Sequence, residues 1–389
     1  MNRKALLFIF ALLVVGTTNA QSLIFKPYYL KSELDSSTKS KILTSLDTLF
    51  SQIKSGKIKE ALINKDNTEL NMLTMQTFAG IEESKKDSIT NFYKKQLINI
   101  YPISNNEVWI SLAFIGEEDN KVPILQNIIN LIATHTNNNV VFSIPIKYLT
   151  KSWKTKIVGN ITYFFRNRIN TERAAKFNAK NTIIANKLGL QPEKFNFYLC
   201  NNYQEILQLL GYEYDAESNG KTKEGFGVDA SNIFSIMNNE DFSHDLFHYY
   251  SSKIRGDLKR NRTVEEGIAY SWGNAYYTNA NGEIIEQKEL VQDLKSYLKT
   301  NPKTNLFDLF TTNTKIFDKL PTEISVKSTI SSLLCDEVER KKGVNGIKTF
   351  IKSGPGDDNF FKALNDLIFI NQINFNTEVM KLVKQYKDK

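Results

Sequence analysis

Histidine is almost missing from this chain: three occur in 389 residues, beside two cysteines. Neither Cys200 nor Cys335 stands in a Cys-x-x-Cys spacing, which excludes a cysteine-based metal or redox motif. The two thiols leave two states open, one disulfide or two buried free cysteines. Also missing is any block of lysine and arginine interleaved with aromatics. The net charge of +8 is spread along the chain, so no nucleic-acid groove is indicated. Beyond the first 20 residues no stretch offers the ~20 charge-free apolar residues that cross a bilayer, so no membrane span is expected.

The N-terminus, by contrast, contains a targeting pattern. "MNRKALLFIFALLVVGTTNA" carries Arg3 and Lys4, an apolar run from Ala5 to Val15, and small or polar residues up to Ala20. This three-part order predicts a secretory signal peptide over residues 1–20, cleaved near Ala20 to release an exported protein, periplasmic or secreted. Cleavage removes two basic residues and no acid. No cysteine lies near the cut to take a lipid.

The mature length exceeds one typical core, and two domains are expected. Hydrophobic residues make up 41% and aromatics 12%, enough to build both. From Ser36 to Ile63, Ile42, Leu43, Leu46, Leu49, Phe50 and Ile53 recur at helical spacing, with Gly56 as the stop. A second helix is expected over Lys85 to Gln96. "NEVWISLAFIGEE", "NNVVFSIPIKYL" and "WKTKIVGNITYFF" then read as strands, being rich in β-branched and aromatic residues. Helices succeeded by antiparallel strands define a small α+β domain over residues 21–165, which resembles a cystatin or NTF2-like fold. The texture changes between Phe165 and Thr171. A helix is expected over "NTERAAKFNAKNTIIANKLGL", a strand over "KFNFYLC", a helix over "NYQEILQLLG" and a strand over "GVDASNIFSI". Segments of helical period continue to the end, so residues 166–389 form a mainly helical second domain.

Chemistry concentrates in "DFSHDLFHYY", Asp241 to Tyr250. On a helix, His244 and His248 lie one turn apart on the same face, so both imidazoles can reach one metal ion. A catalytic tetrahedral site needs a third protein ligand and an open fourth position. With so few histidines, that ligand has to be a carboxylate, and "RTVEEGIAYSWGNAYY" downstream supplies candidates.

His244-Asp245-Leu246-Phe247-His248 resembles the HExxH helix of the gluzincin zinc metallopeptidases. Glu266-Gly267-Ile268-Ala269 is similar to the EGxA segment of their peptidase-MA-like branch. The resemblance implies Zn2+ held by His244, His248 and Glu266, and a peptide or protein substrate. The 18 residues from His248 to Glu266 leave room for the first helix to end at Gly256 and a second to return. "GVDASNIFSI" stands where such enzymes place the edge strand that pairs with substrate, and "GVNGIKTFIKSGPGDDNFFKALNDLI" resembles their helical tail. The likeness covers Thr171 to the end and leaves residues 21 to 165 outside.

One position departs from the pattern. The family has glutamate where this chain has Asp245, and the resemblance makes that residue the general base that takes a proton from the attacking water. Aspartate is one methylene shorter and draws its oxygens back by about 1.5 Å. A misplacement of about 1 Å can cost on the order of a hundredfold in rate. Two functional classes are therefore open, a peptidase with a weakened base Asp245 and an inactive peptidase-fold binding or scaffold protein.

Several residues have plainer readings. Thr263-Val264-Glu265-Glu266 fits a capping box, which would turn Glu266 back onto its own helix and leave Glu265 as the metal ligand. Tyr249, Tyr250, Tyr270, Tyr276 and Tyr277 read as core or interface aromatics. His135 reads as a surface residue, and Asn160 and Asn261 open N-x-Thr triplets.

Overall fold

The computed structural model describes residues 33–83, 92–118, 120–136, 139–220, 228–236, 239–275, 284–317 and 324–387. The expected signal peptide, Tyr276 and Tyr277 lie outside these residues. The chain is mixed α+β and divides into two compact units, residues 1–64 with 75–143, and residues 65–74 with 144–389.

The first unit opens with α1 (Ser36–Lys54), capped by the Asp35 carboxylate on the Thr38 amide. It buries Ile42, Leu43, Leu46, Leu49, Phe50 and Ile53, the face its periodicity marks. α2 (Thr68–Glu83) comes next, and the division between the units runs through it. β1 (Lys94–Pro102), β2 (Glu107–Glu117), β3 (Pro123–His135) and β4 (Val140–Ser143) form an antiparallel sheet in chain order. Of the helix expected over Lys85 to Gln96, residues 85–91 lie outside the described residues, and Lys94 to Gln96 are strand instead, pairing in β1 with Ile115, Phe114 and Ala113. His135 ends β3.

In the second unit α3 (Ile146–Leu149) precedes the hairpin β5 (Lys154–Val158) and β6 (Ile161–Phe165). α4 (Thr171–Lys187), β7 (Phe195–Leu199), α5 (Tyr203–Leu209), β8 (Tyr212–Asp215), β9 (Val228–Asp229) and β10 (Asn232–Ser235) come next. The second sheet runs β5-β6-β7-β10-β9, with β6, β7 and β10 parallel. β6 therefore belongs to the sheet of the second unit, and the units divide after Ser143, upstream of the change in texture at Phe165. "GVDASNIFSI" is a tight hairpin instead of one strand: Ala230 and Ser231 turn with φ of 45° and 61°, and Asn232 and Ile233 of β10 pair with β7 on one side and β9 on the other. Positive φ at both central residues is what a two-residue hairpin turn demands.

The helical remainder comprises α6 (Ser243–Arg255), α7 (Arg262–Ile268) with a π turn over Ala269–Gly273, α8 (Gln287–Thr300), α9 (Leu306–Thr312), α10 (Val326–Ile351, broken at Gly343), α11 (Asp357–Ile368) and α12 (Phe375–Gln385). One core joins them to α4 and the sheet. Phe177, Phe197, Phe247, Val264, Ile330, Leu334 and Phe350 are all fully enclosed in it. Cys200 and Cys335 are buried free thiols, so the disulfide alternative does not hold. None of the described helices is long and apolar enough to cross a membrane.

The contact between α7 and α10 depends on Gly267. A Cβ there would lie 2.5 Å from the Ser331 hydroxyl and 2.8 Å from the Ser331 carbonyl carbon. On an exposed helix, glycine to alanine gains about 1 kcal/mol. Here the methyl would drive α7 off α10, so Gly267→Ala is expected to cost ~1–3 kcal/mol. Urea denaturation measures it, and an unchanged or raised midpoint would refute the close approach.

Candidate metal centre

The helix predicted around "DFSHDLFHYY" is α6. Its first turn has no side-chain cap on Phe242, and Asp241 serves instead, its Oδ1 accepting from the Ser243 amide at 2.9 Å and from the Ser243 hydroxyl. Lys180 holds Asp241 at 3.3 Å and also donates to the Gly273 carbonyl at 3.0 Å. These bonds join the start of α6 to the end of the π turn, where a Cβ on Gly273 would lie 2.8 Å from the Ser243 carbonyl oxygen.

His244 and His248 emerge from α6 with their Nε2 atoms 3.0 Å apart. Glu266, from α7, places Oε2 at 3.2 Å from His244 Nε2 and Oε1 at 3.4 Å from His248 Nε2. Among the described residues these three form the one cluster of histidine, cysteine and carboxylate side chains able to share a metal ion. With one ligand atom from each, the three converge within 4.8 Å, close to what one ion needs. Bonds of about 2.0–2.1 Å in a tetrahedron separate the ligand atoms by about 3.3–3.4 Å, and two histidines with one carboxylate is a donor set zinc uses with an open fourth position.

The ring orientations suit it as well. His244 Nδ1 lies 3.0 Å from the Asn274 carbonyl oxygen, which can only accept, so Nδ1 carries a proton and Nε2 is the nitrogen that faces the cluster. His248 Nδ1 faces Glu265 Oε2 at 3.4 Å. Glu265 is buried and bound by Arg255 and by Arg260, whose Nε lies at 2.9 Å. The adjacent glutamates thus divide the work, Glu266 facing the imidazole nitrogens and Glu265 bracing His248 from outside. Burial raises the Glu266 carboxyl, but hydrogen bonds and charge from His244 and His248 outweigh it and hold the group far below the usual range.

The capping-box expectation is corrected. The cap of α7 is Asn261, whose Oδ1 accepts from the Val264 amide at 3.2 Å while its Nδ2 donates to the Gly354 and Gly356 carbonyls at 2.7 and 3.0 Å. Thr263 donates to Asp357, which frees Glu266 to face the histidines. Asn261 is enclosed with both ends of its amide used, so its triplet offers no glycosylation site on the folded chain. Tyr270 packs its ring edgewise on His244 at 5.8 Å and puts its hydroxyl 3.4 Å from the Ser325 amide, a wall of the site.

Asp245 comes directly after His244 and is partly buried, and desolvation of its carboxyl pushes it above the usual range. Among the described residues its Oδ2 has no hydrogen-bond partner. A buried carboxylate oxygen without a donor calls for one, and a water molecule beside the cluster would satisfy it.

Arg260 is the residue sequence reasoning missed. It leaves the loop between α6 and α7 and sets Nη2 at 2.5 Å from Glu266 Oε1 and 3.1 Å from each ring nitrogen of His248. It lies within "DLKRNR", where nothing in the spacing distinguishes one base from another.

Comparison with protein-family models finds no match, and comparison with curated proteins finds none.

Proposed function

We propose that this chain is an exported zinc-dependent metallopeptidase-like protein, with a cystatin- or NTF2-like N-terminal part and a gluzincin-like remainder. The observation that carries this reading is the convergence of His244 Nε2 and His248 Nε2, 3.0 Å apart, on the Glu266 carboxylate, whose Oε2 lies 3.2 Å from the first and Oε1 3.4 Å from the second. When bound, zinc would polarise a peptide carbonyl and acidify water. The chain's own residues would do the rest. His244, His248 and Glu266 bind. The Asn274 carbonyl and Glu265 fix the two rings. Asp245 accepts a proton at its unpartnered oxygen and passes it to the departing amine.

Metal analysis of the mature protein, Gln21 to Lys389, tests this directly. About one zinc per chain is expected, as a single three-ligand site dictates. No metal after zinc is supplied and the excess removed would sink the reading.

A second reading is favoured by two observations, the short Asp245 side chain and the guanidinium against the ligand atoms. It makes the chain a catalytically inactive scaffold of the same fold that holds a peptide or protein partner. Strand addition to β10 does not fit it, since Asn232 and Ile233 are paired on both sides. Peptide captured intact by wild type and by His244→Ala alike would select this reading, and cleavage by wild type alone would reject it.

A further inference from the structure

We propose that Arg260 gates metal loading, its guanidinium competing with the incoming cation for the Glu266 carboxylate and for the space beside His248. This inference rests on the metal-site reading of the cluster. Glu266 and His248 would each supply a ligand atom to a bound ion, and Glu266 Oε1 and His248 Nε2 lie 3.4 Å apart. Arg260 Nη2 stands 2.5 Å from the first of these atoms and 3.1 Å from the second, so it takes the lone pair of the Glu266 oxygen and fills the space beside the His248 ring. The guanidinium has donors only and stays charged at any working pH. Two cations do not share such a position, and loading requires Arg260 to leave.

The surroundings permit that departure. The Arg260 side chain is 33% exposed and stems from a loop, so it can turn to water. Glu265 keeps a cationic partner when it does, because Arg255 Nη1 pairs with the other carboxylate oxygen. His244 stays in place throughout, anchored through Nδ1 to the Asn274 carbonyl. The docked and turned-out positions are thus two states with different metal affinity, and the measured affinity is reduced by the fraction of chains that are docked.

Zinc affinity of the full mature chain, measured by competition with a fluorescent chelator, tests the gate. Arg260→Gln is expected to bind zinc at least about tenfold tighter than wild type, within the usual range of coupling between mutually exclusive occupants. Arg260→Lys should fall between them, since ammonium keeps the charge but loses the second nitrogen that pairs with Glu265 and holds the side chain docked. Arg255→Gln, which removes a partner of Glu265 and leaves the Arg260 guanidinium in place, should bind no tighter than wild type. A melting curve for each variant confirms that it is folded, and the lysine variant carries the test if the glutamine variant is not. Equal or weaker binding by Arg260→Gln, or an equal gain in Arg255→Gln, overturns the gate while leaving the metal site standing. Zinc binding by none of the proteins overturns the metal site itself.

Discussion

His248→Ala is expected to abolish stoichiometric zinc binding while leaving the fold in place. His248 supplies one of only three side chains in the cluster. Changes to residues that merely orient metal ligands cost about tenfold to a hundredfold in affinity, and removing a ligand itself should cost more. The remaining pair, His244 and Glu266, would leave half of a tetrahedron to solvent. The fold should tolerate the change because His248 lies at the margin of the core, touched by Arg260, Glu265 and Glu266, whereas Phe247 and Tyr250 of the same helix are fully enclosed. His135→Ala, at the end of β3 in the other unit, is the matched control and should bind as wild type does. Elemental analysis beside circular dichroism reads both. Full zinc retention by a folded His248→Ala would show that the ion, if bound, is held elsewhere.

Asp245→Glu should raise peptide hydrolysis by about a hundredfold. Restoring the methylene moves the carboxylate forward by roughly 1.5 Å. An error of about 1 Å in a reacting group is worth on the order of a hundredfold. The carboxyl is already desolvated and raised above its usual range, which suits a group that must take a proton and release it again. The insertion adds volume at a packed position, and a stability cost of about 1–3 kcal/mol is expected. Activity should rise while the melting temperature falls, a combination that general improvement of folding would not produce. Cleavage of a broad peptide library is the assay. A zinc-loaded Asp245→Glu that cuts no better than wild type would show that the short side chain is not what limits the chemistry.

The candidate site is more legible in the sequence than the architecture around it. Two histidines four apart on an amphipathic segment fix their common face through helical geometry alone, and α6 places them so. The third partner is harder to choose. Glu265 and Glu266 are neighbours that a helix turns about 100° apart, and spacing cannot say which side faces α6. Asn261 decides it by capping α7 with contacts to Gly354 and Gly356, about 90 residues away, which no local pattern reveals. Arg260 is invisible for a related reason, since a loop cation acquires its role from where two helices bring their ends. In the fold, β5 and β6 are recognisable as strands, yet chain order alone groups them with the wrong partners. Strand character is a local property, whereas the parallel pairing of β6 with β7 is made across α4. β3, the longest strand of the first sheet, escapes notice because "PILQNIINLIATH" mixes asparagine into an apolar run without clean alternation.

The cap on α7 also bears on the order of events at synthesis. Asn261 waits for carbonyls at Gly354 and Gly356, so a chain emerging N-terminus first carries both histidines well before Glu266 can be fixed beside them. The helix that supplies Glu266 has only seven residues, too few to hold itself in water. Ligand assembly is therefore tied to completion of the polypeptide, and a nascent or prematurely terminated chain would present a pair of imidazoles without the carboxylate that makes them a site.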